Sequence, residues 1–553
     1  MVDAAVQHEI VLRLRECLAQ RRIQLGFEIL AENRAVLGSV GVEFPGSAEL
    51  IGYLAQWVDE GFSSPELIET FLASFATDVR VQLPLIEYVH LRFSEGALAM
   101  WREDYECAIR HFRFVTSVQE EAPDNELIAV CHFWMGRCLR KIGHYDEALT
   151  VTTRARDMAM SLGYSRMAAM MRVGEAWLLF QKAKTADALR ILKGAESDLA
   201  DSDDFVALGN IESAYGRIAR RQGQCDRAIA HFKSAIALYS RHDPDHRSVA
   251  RSLVNLVVAQ RQTGLQLQRK LDSDLLRRKS GKLCADPKSH GIQQRAALEA
   301  MRQEARQALD RADSIYRGAA NHRGLGAVHV MRGFLNVDVG RLDAAMEDAS
   351  AAFRLAEEKS DHILMARARI LQCMIESTRF EEGIEDTIDP GTHAQRACDL
   401  AREALAIAQL TENRRLVARA YVWQGLIWAN RYFNDIDAAR RCCDEASALL
   451  RPEGQPYIWE DLRRLRNEIV GNTQVDTVLR EWSQGLIGDR TFQQVNEEFA
   501  AIIIPRVWER ESRKVSRVAA KLSVSPKKVR RILQAAGLLR SSPPVTAPPS
   551  RSG

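Results

Sequence analysis

The sequence predicts an all-α protein in which a superhelical solenoid of paired helices precedes a small C-terminal domain of short helices. Three observations support this prediction. Small residues return at fixed intervals between residues 81 and 470, apolar residues follow a helical period through most of the chain, and a turn separates two short amphipathic stretches near the C-terminus. Repeated helix pairs that cannot bury their apolar faces alone fold as a stack.

Charge is distributed unevenly along the chain. The 553 residues carry a net charge of +3, and 46% of them are hydrophobic, so the chain can build a large core. Residues 506–540 hold 11 Lys and Arg against 2 acids, and Arg551 adds one more cation, so the remaining residues sum to about −7. A mildly acidic body with a basic end concentrates affinity for nucleic acid in that end; a solvated basic face is the alternative.

Cysteines and hydrophobic runs indicate a cytoplasmic protein. The 10 cysteines are scattered and form no CxxC pair, so we expect them to be reduced and buried. No apolar run is long enough to span a membrane, and the N-terminus lacks a signal-like apolar segment. We therefore expect neither a membrane span nor an export signal.

Residues 1–80 are predicted to form an N-terminal helical region. The stretch 6–33 is amphipathic, turn residues near 38–47 separate it from a helix at 48–60, and a capping pattern opens a third helix at 63–79. This region contains no pattern typical of catalysis.

From residue 81 to about 470 the chain repeats a pattern of small residues. A small residue is followed 12 positions later by an alanine, and further small or bulky residues lie four and seven positions beyond it. The copies are Gly96–Ala108–Phe112, Gly136–Ala148–Ala155, Ala176–Ala188–Leu192–Ala195, Gly216–Ala228–Phe232–Ala235, Gly333–Ala345–Ala349–Ala352, and a looser one at Gly425, Ala438 or Ala439, and Ala446. This spacing resembles the tetratricopeptide repeat. The resemblance implies antiparallel helix pairs of about 34 residues, stacked into a right-handed solenoid.

Two insertions interrupt the repeats. Residues 265–295 separate a first helix at 248–263 from its partner at 297–317. This insertion is basic and weakly hydrophobic, so we expect a mobile loop, with a second phosphate-contacting arm as the functional alternative. Residues 381–393 form an acidic insertion, for which a linker and a partner contact are both open.

The concave face of the solenoid is predicted to bind a ligand or a protein partner. The tetratricopeptide resemblance implies which positions of the first helix of each pair face this groove. They are Arg137, Arg140 and Lys141, then Trp177 and Phe180, then Arg217, Arg220 and Arg221. Two basic clusters beside an aromatic patch suit an acidic peptide, a carboxylate or a phosphorylated ligand, because guanidinium groups bind such anions through two parallel hydrogen bonds. A solvated basic face is the alternative.

Residues 475–540 are predicted to form a helical linker and a DNA-binding domain, and the Pro/Ser-rich residues 541–553 a disordered tail. Helices at 460–470 and 475–486 are expected to cap the solenoid. A third helix at 492–510 has an aliphatic face that suits either a dimer contact or the core of the domain itself.

Two short helices joined by a turn are predicted at residues 513–538. The first spans 515–522. Ser525 suits the N-cap of the second helix, Pro526 suits its first position, and Gly537 suits its end.

This stretch resembles the Fis-type helix-turn-helix that ends bacterial enhancer-binding regulators. The match rests on Ala519-Ala520, Leu522, Val524-Ser525, Val529, Leu533 and Gly537-Leu538. Ser523 stands where the turn glycine is usual, and Arg513-Lys514 where Gly-Asn is usual. The DNA-contacting residues that the resemblance and the charge imply are Arg513, Lys514, Arg517, Lys521, Ser525, Lys527, Lys528, Arg530 and Arg531. Lys527 and Arg531 are four residues apart and share a helix face, which suits the major groove.

The sequence contains none of the catalytic signatures that we sought. A phosphate-binding loop, a dinucleotide-binding GxGxxG, HExxH and GxSxG are all missing, so the ATPase of the resembling regulators is absent. Residues 242–246 have metal-ligand side chains but lie at a junction between helices. We therefore expect no enzymatic activity, no cofactor and no metal.

These observations predict a DNA-binding transcriptional regulator whose solenoid senses a ligand or docks a protein partner. A homodimer is a further expectation, since two half-sites raise affinity and selectivity for so small a motif. The alternative is a non-enzymatic scaffold whose basic end docks an acidic protein. Preference for one DNA sequence over another distinguishes the two.

Overall fold

A computed structural model describes residues 4–34, 46–241, 243–279, 288–383, 389–450, 458–473, 491–511 and 513–539. The regular structure in these ranges is entirely helical, which confirms the predicted fold class. The chain divides into two compact units, residues 1–468 and 469–553. None of the helices described is long and apolar enough to cross a membrane. The predicted helix at 475–486 and the predicted tail at 541–553 lie outside the described residues.

The first unit opens with five helices, which are α1 Ala4–Gln20, α2 Ile23–Glu32, α3 Ser47–Glu60, α4 Glu66–Ser74 and α5 Thr77–Gln82. Their apolar faces join the core of the first repeats. Leu14, Trp57 and Phe93 are fully buried in a single hydrophobic cluster. The N-terminal helices and the start of the solenoid therefore share one core.

Helix pairs build the rest of the first unit. Those that the structure describes are α6 Leu85–Trp101 with α7 Tyr105–Ser117, α8 Asn125–Ile142 with α9 Tyr145–Ser161, α10 Ser165–Gln181 with α11 Thr185–Leu199, α12 Phe205–Arg221 with α13 Cys225–Tyr239, α14 Arg247–Lys279 with α15 Lys288–Gly318, α16 His322–Val337 with α17 Leu342–Glu358, α18 His362–Glu382 with α19 Pro390–Gln409, and α20 Arg414–Ala429 with α21 Ile436–Leu450. The first four pairs begin at Leu85, Asn125, Ser165 and Phe205, so the first three repeats are each 40 residues long. That is longer than the expected length of about 34, because the helices of each pair are extended.

The small residues of the repeat allow the paired helices to approach closely. A Cβ added at Gly216 would lie 2.8 Å from the Phe232 ring, and one at Gly136 would lie 2.3 Å from the Thr152 hydroxyl. The turn residue Gly143 has a φ of +98°, and its N–H donates to the carbonyl of Leu139. Glycine is favoured at such a left-handed helix end because it has no Cβ to clash.

The prediction of a loop at residues 265–295 is wrong for the part that the structure describes. α14 continues to Lys279 and α15 begins at Lys288, so both flanks of the insertion are helical. Leu271 is buried in this extension, and Leu298 is buried just beyond the insertion. Its Leu, Gln, Arg and Lys residues are strong helix formers, and their helix propensity outweighs the low hydrophobicity on which the loop prediction rested. Residues 280–287, and residues 384–388 of the acidic insertion, lie outside the described residues.

α22, Ile458–Thr473, runs across the boundary between the units. The described part of the second unit continues with α23 Phe492–Arg510, α24 Val515–Lys521 and α25 Pro526–Ala535. Thr491 and Gln494 form a reciprocal capping box at the start of α23. The core of this unit contains Ile504, Trp508, Val518, Ala519, Val529, Ile532 and Leu533. Ile504 therefore packs on the core of its own domain.

Candidate functional site

α25 is an amphipathic helix with a basic outer face. The Ser525 hydroxyl accepts the backbone N–H of Lys528 at 3.2 Å, which fixes the start of the helix as expected for an N-cap. Val529, Ile532 and Leu533 are buried against α23 and α24. The cations on the opposite face of α25, such as Lys527 and Arg530, are therefore exposed to solvent.

The structure places almost every residue predicted to contact DNA at the surface of the second unit. The exposed residues are Arg513, Lys514, Arg517, Lys521, Ser525, Lys527, Arg530 and Arg531, and Lys528 is half-buried. Three of the cations have acidic partners. Arg531 Nη2 lies 2.5 Å and Lys528 Nζ 3.7 Å from the Glu497 carboxylate of α23, and Lys521 Nζ lies 2.5 Å from Glu511.

Other cations of the second unit remain available. Lys514, Lys527 and Arg530 form no ion pair with the residues that the structure describes. The Arg513 guanidinium lies over the Trp508 ring at 5.6 Å. Helical geometry places Lys527 and Arg531 on the outward face, with Arg530 beside them. The sequence-predicted pair thus shares a face, although Arg531 also binds Glu497.

The concave side of the solenoid brings distant segments into contact. Asp59, at the end of α3, binds two arginines there: Arg137 Nη1 at 2.5 Å and Arg247 Nη2 at 3.0 Å. The two arginines and the hydrogen bonds from Arg137 and the Trp101 indole N–H hold the pKa of Asp59 well below its usual range, although burial alone would raise it. Arg137, which the sequence predicts to face a ligand, is bound to Asp59 of the N-terminal helices.

Phe180 lies at a second crossing point. Its carbonyl accepts hydrogen bonds from Arg221 Nη1 at 2.8 Å and from Arg415 Nη2 at 2.7 Å. Both guanidinium groups also lie over its ring, at 3.2 Å and 5.1 Å from the centroid. The predicted groove residues Phe180 and Arg221 therefore hold α10, α12 and α20 together.

The remaining groove residues line the inner face between these crossing points. The Arg140 guanidinium lies 4.6 Å from the centroid of the Trp177 ring, which packs edge-on against Tyr145. Within the described residues, Arg140, Lys141 and Arg217 have no ion pair, and their charged groups make no hydrogen bond. Arg220 lies beside Arg217 on the same helix.

Burial and repulsion between neighbours shift the pKa values of the cations on this inner face. Burial and the neighbouring Arg251 lower the pKa of Arg140 to about 9 and that of Arg217 to about 10. Burial and Arg323 also lower the pKa of Lys141 below its ordinary value. Both causes, burial and repulsion between neighbouring cations, disfavour the charged form of these groups.

Sequence reasoning did not find four residues of this inner face, namely Asp59, Arg247, Arg251 and Arg323. Arg251 donates to neutral acceptors, Asn210 Oδ1 at 2.7 Å and the Tyr239 hydroxyl at 3.2 Å. Arg247 and Arg251 are four apart at the start of α14, so their common face was a signal that the sequence contained. Nothing comparable marked Asp59.

The remaining reactive side chains are dispersed. Among the described residues, no group of three His, Cys, Asp or Glu is arranged to hold a metal ion, and the described cysteines are free thiols. His242 lies outside the described residues. A small cleft opens beside Lys141 and is lined in part by Glu103, Tyr105, Arg323 and Asp361.

Comparisons with known proteins show the fold. No model of a known family matches the chain, and no curated protein matches it. A Rap protein solved in complex with Competence and Sporulation Factor is 14% identical, with a TM-score of 0.51 over 74% of this chain and 100% of its own. The quorum sensor NprR from B. thuringiensis, in its apo form, is 12% identical, with a TM-score of 0.45 over 72% of this chain and 99% of its own. The human IFIT1 dimer with m7Gppp-AAAA is 13% identical, with a TM-score of 0.44 over 77% of this chain and 86% of its own. The similarity to the Rap protein shows a helical-repeat solenoid.

Proposed function

We propose that the protein is a non-enzymatic, DNA-binding transcriptional regulator of the cytoplasm. The observation that carries the proposal is the division of α25 into two faces. Val529, Ile532 and Leu533 fix the helix to its domain, while Lys527 and Arg530 point into solvent without an ion pair among the described residues. A major groove is wide enough to accept such a helix after a tight turn, as the Fis-type resemblance implies.

The basic residues divide by position into two roles. Lys527, Arg530 and Arg531 lie on or beside the outward face of α25 and are proposed to enter the groove, where arginine and lysine recognise guanine edges. Lys514 and Arg517 precede or begin α24 and are proposed to contact phosphates. Phosphate contacts supply affinity that falls with salt, whereas contacts to base edges supply sequence preference.

A second copy of the chain is the proposed partner of α23. Phe492 is 79% exposed and Phe499 is 46% exposed, seven residues apart on the same helical face. Covering two aromatic side chains in a dimer would remove apolar surface from water and present two DNA-binding units to a symmetric site.

The solenoid is proposed to supply the signal by binding a ligand or a protein partner on its inner face. The unpaired Arg140, Lys141 and Arg217 support an anionic ligand. The Rap protein of similar fold was solved in a complex with Competence and Sporulation Factor. Ligand binding would alter the operator affinity of the second unit if the two units are coupled.

Selection from a random pool of DNA duplexes tests the DNA-binding half of the proposal. We expect the full-length protein to enrich one sequence, with an inverted repeat if it binds as a dimer. Lys527→Ala/Arg531→Ala is expected to lose this enrichment, since each good contact to a base edge contributes about 1–3 kcal/mol of discrimination. The matched control is Arg110→Ala/Lys233→Ala, which removes two exposed charges from the solenoid and should select as the wild type does.

Retention of unselected DNA would contradict sequence recognition. In that case binding would weaken with salt, because counterion release is independent of sequence, and the pool would show no preferred motif. Equal loss of enrichment in the solenoid control would also count against the proposal, since it would show that total charge decides binding.

A scaffold whose basic end docks an acidic protein is the second candidate function. The Glu497 carboxylate that lies between Lys528 and Arg531 favours it, because this helix already accommodates a carboxylate. Salt sensitivity is common to both functions. A DNA sequence preference that Lys527→Ala/Arg531→Ala abolishes favours the regulator, whereas its absence favours the scaffold.

A further inference from the structure

Three unpaired cations share the inner face of the solenoid. Arg140 and Lys141 lie in the last turn of α8, and Arg217 lies on α12. All three side chains are half-buried, and charged groups that are partly withdrawn from water are ordinarily paired, because the desolvation of an isolated charge is unfavourable. Arg251 of α14 lies within electrostatic range of all three. Its guanidinium binds only neutral acceptors among the described residues.

The carboxylates of this region already have partners. Asp59 is shared by Arg137 and Arg247. Asp361 binds Arg323 Nε at 3.0 Å, and Glu103 accepts the backbone N–H of Arg323 at 3.0 Å. Among the described residues, Glu103 receives only neutral donors, so its negative charge partly offsets that of Lys141. The four cations Arg140, Lys141, Arg217 and Arg251 outnumber this one carboxylate.

Contacts across the solenoid limit the size of a ligand on this face. Arg323 Nη1 donates to the Lys141 carbonyl at 2.7 Å, which joins α16 to the end of α8. Arg415 Nη2 and Arg221 Nη1 both donate to the Phe180 carbonyl. An extended chain lying along the inner face would have to break these hydrogen bonds. A compact ligand leaves them intact.

The arrangement of donors also selects among anions. A phosphoryl group brings nearly two negative charges and three acceptor oxygens to one point, whereas a carboxylate brings one charge and two oxygens. Arginine forks and a lysine ammonium arriving from α8, α12 and α14 can approach a tetrahedral group from several sides. A phosphoryl group therefore satisfies more of these cations than a single carboxylate does.

We propose that Arg140, Lys141, Arg217 and Arg251 form a binding site for a small phosphorylated metabolite on the inner face of the solenoid. This inference rests on the ligand-sensing half of the proposed function and gives the chemical class of the signal. A phosphorylated ligand bridging α8, α12 and α14 would neutralise their mutual repulsion and stabilise the contacts that close this face.

Calorimetric titration of the full-length protein in a phosphate-free buffer tests the site, with inorganic pyrophosphate as the probe and citrate at matched ionic strength as the carboxylate comparison. We expect pyrophosphate to bind at one site and more tightly than citrate. Arg140→Gln/Arg217→Gln should weaken pyrophosphate binding tenfold or more, because hydrogen bonds to charged groups are the stronger ones. Arg110→Gln, a change at an exposed arginine of α7, should bind pyrophosphate as the wild type does.

A thermal melt of the unliganded variants separates a binding role from a structural one. Arg140→Gln/Arg217→Gln removes repulsion, so its melting temperature should equal or exceed that of the wild type. If this variant melts at a lower temperature than the wild type, the variant Arg140→Lys/Arg217→Lys is tested next, because it keeps the charges but removes the forked donors. Weakened pyrophosphate binding by the lysine variant supports the site, and binding equal to that of the wild type overturns it.

Several outcomes would overturn the inference. Equal affinity for citrate, unchanged pyrophosphate binding in the glutamine variant, and binding of an acidic peptide but not of pyrophosphate each do so. Loss of pyrophosphate binding in Lys527→Ala/Arg531→Ala would show that the anion binds to the second unit, which would also overturn the inference. If the protein enriches a DNA sequence but does not bind pyrophosphate, only this inference is overturned. If it binds pyrophosphate but enriches no DNA sequence, only the DNA-binding proposal is overturned.

Discussion

Ser523 occupies a backbone conformation that favours glycine. Its φ is +51°, in the left-handed region, at the turn between α24 and α25. A residue with a Cβ is strained there, and the Fis-type family usually has glycine at this point. The sequence therefore identified both the turn and its strained position, because each depends on local chemistry.

Replacing Ser523 with glycine should stabilise the second unit. Relief of the left-handed strain is worth about 1 kcal/mol, partly offset by the greater freedom of glycine in the unfolded chain. Hydrogen exchange of the backbone amides of α24 and α25 should become slower in Ser523→Gly. The matched control Ser516→Gly, inside α24, should accelerate it, since glycine costs about 1 kcal/mol in a helix. Faster exchange in Ser523→Gly would contradict the strain argument.

His132 should make the folded protein sensitive to acid. Burial and the nearby Arg154 lower the pKa of its ring to about 4, and neither ring nitrogen has a hydrogen-bond partner among the described residues. As the pH falls from about 6.5 towards 4, the unfolded chain takes up a proton that the folded chain does not. Stability is thus lost over this range, by at most roughly 3 kcal/mol from this residue.

Substituting His132 with leucine should remove that part of the acid sensitivity. Urea unfolding at pH 7 and at pH 5 gives the free energy of unfolding at each pH, and the difference should be smaller in His132→Leu than in the wild type. His8→Leu changes an exposed histidine and should leave the difference as it is. An unchanged difference in His132→Leu would show that the ring is protonated in the folded chain.

At the scale of elements, Glu497 couples α23 to the basic helix. Its carboxylate lies 2.5 Å from Arg531 Nη2, so the bound Arg531 cannot offer all its donors to DNA at the same time. The cap and apolar face of α25 could be predicted because they lie within ten residues of one another. The acid on α23 could not, since it is 34 residues from Arg531 and its approach depends on packing between helices.

Neutralising Glu497 should raise the affinity for DNA. The pair is exposed, and such pairs contribute about 0.2–1 kcal/mol, so Glu497→Gln should bind its selected duplex up to about fivefold more tightly. Fluorescence anisotropy measures this Kd. Glu120→Gln makes the same charge change at an exposed site of the first unit and separates the loss of the ion pair from the change in net charge. If both variants gain the same affinity for the duplex, the change in net charge alone accounts for the effect.

At the scale of the first unit, the sequence predicts which way side chains face on a helix, but it does not predict contacts between distant segments. The repeat indicated that Arg137, Arg140 and Arg217 face inwards, because side chains follow the helical period. It did not indicate that Asp59 would bind Arg137 across 78 residues. Which carboxylate reaches which cation depends on how tightly the superhelix winds, and no local pattern encodes that. For the same reason, the sequence did not identify Arg251 and Arg323 as residues of the inner face.

Arg323 is the residue on which closure of the first unit should depend most. Its guanidinium binds Asp361 and the Lys141 carbonyl, and its backbone N–H binds Glu103, so it links α16 to segments about 180 and 220 residues earlier in the chain. Removing one partner from a buried ion pair leaves the other charge uncompensated. Arg323→Ala should therefore lower the free energy of unfolding by about 3 kcal/mol.

The location of faster hydrogen exchange distinguishes the loss of the contact across the solenoid from general destabilisation of the first unit. Hydrogen exchange in Arg323→Ala should accelerate at the end of α8 around Lys141, where the cross-solenoid hydrogen bond is lost, more than in α11. Arg332→Ala provides the control, because Arg332 binds Asp348 of the adjacent α17 and closes nothing at long range. If both variants accelerate exchange around Lys141 equally, the inner face is not held shut by Arg323. If only Arg323→Ala does so, a ligand that neutralises Lys141 and Arg140 acts on the same contact that keeps the solenoid closed.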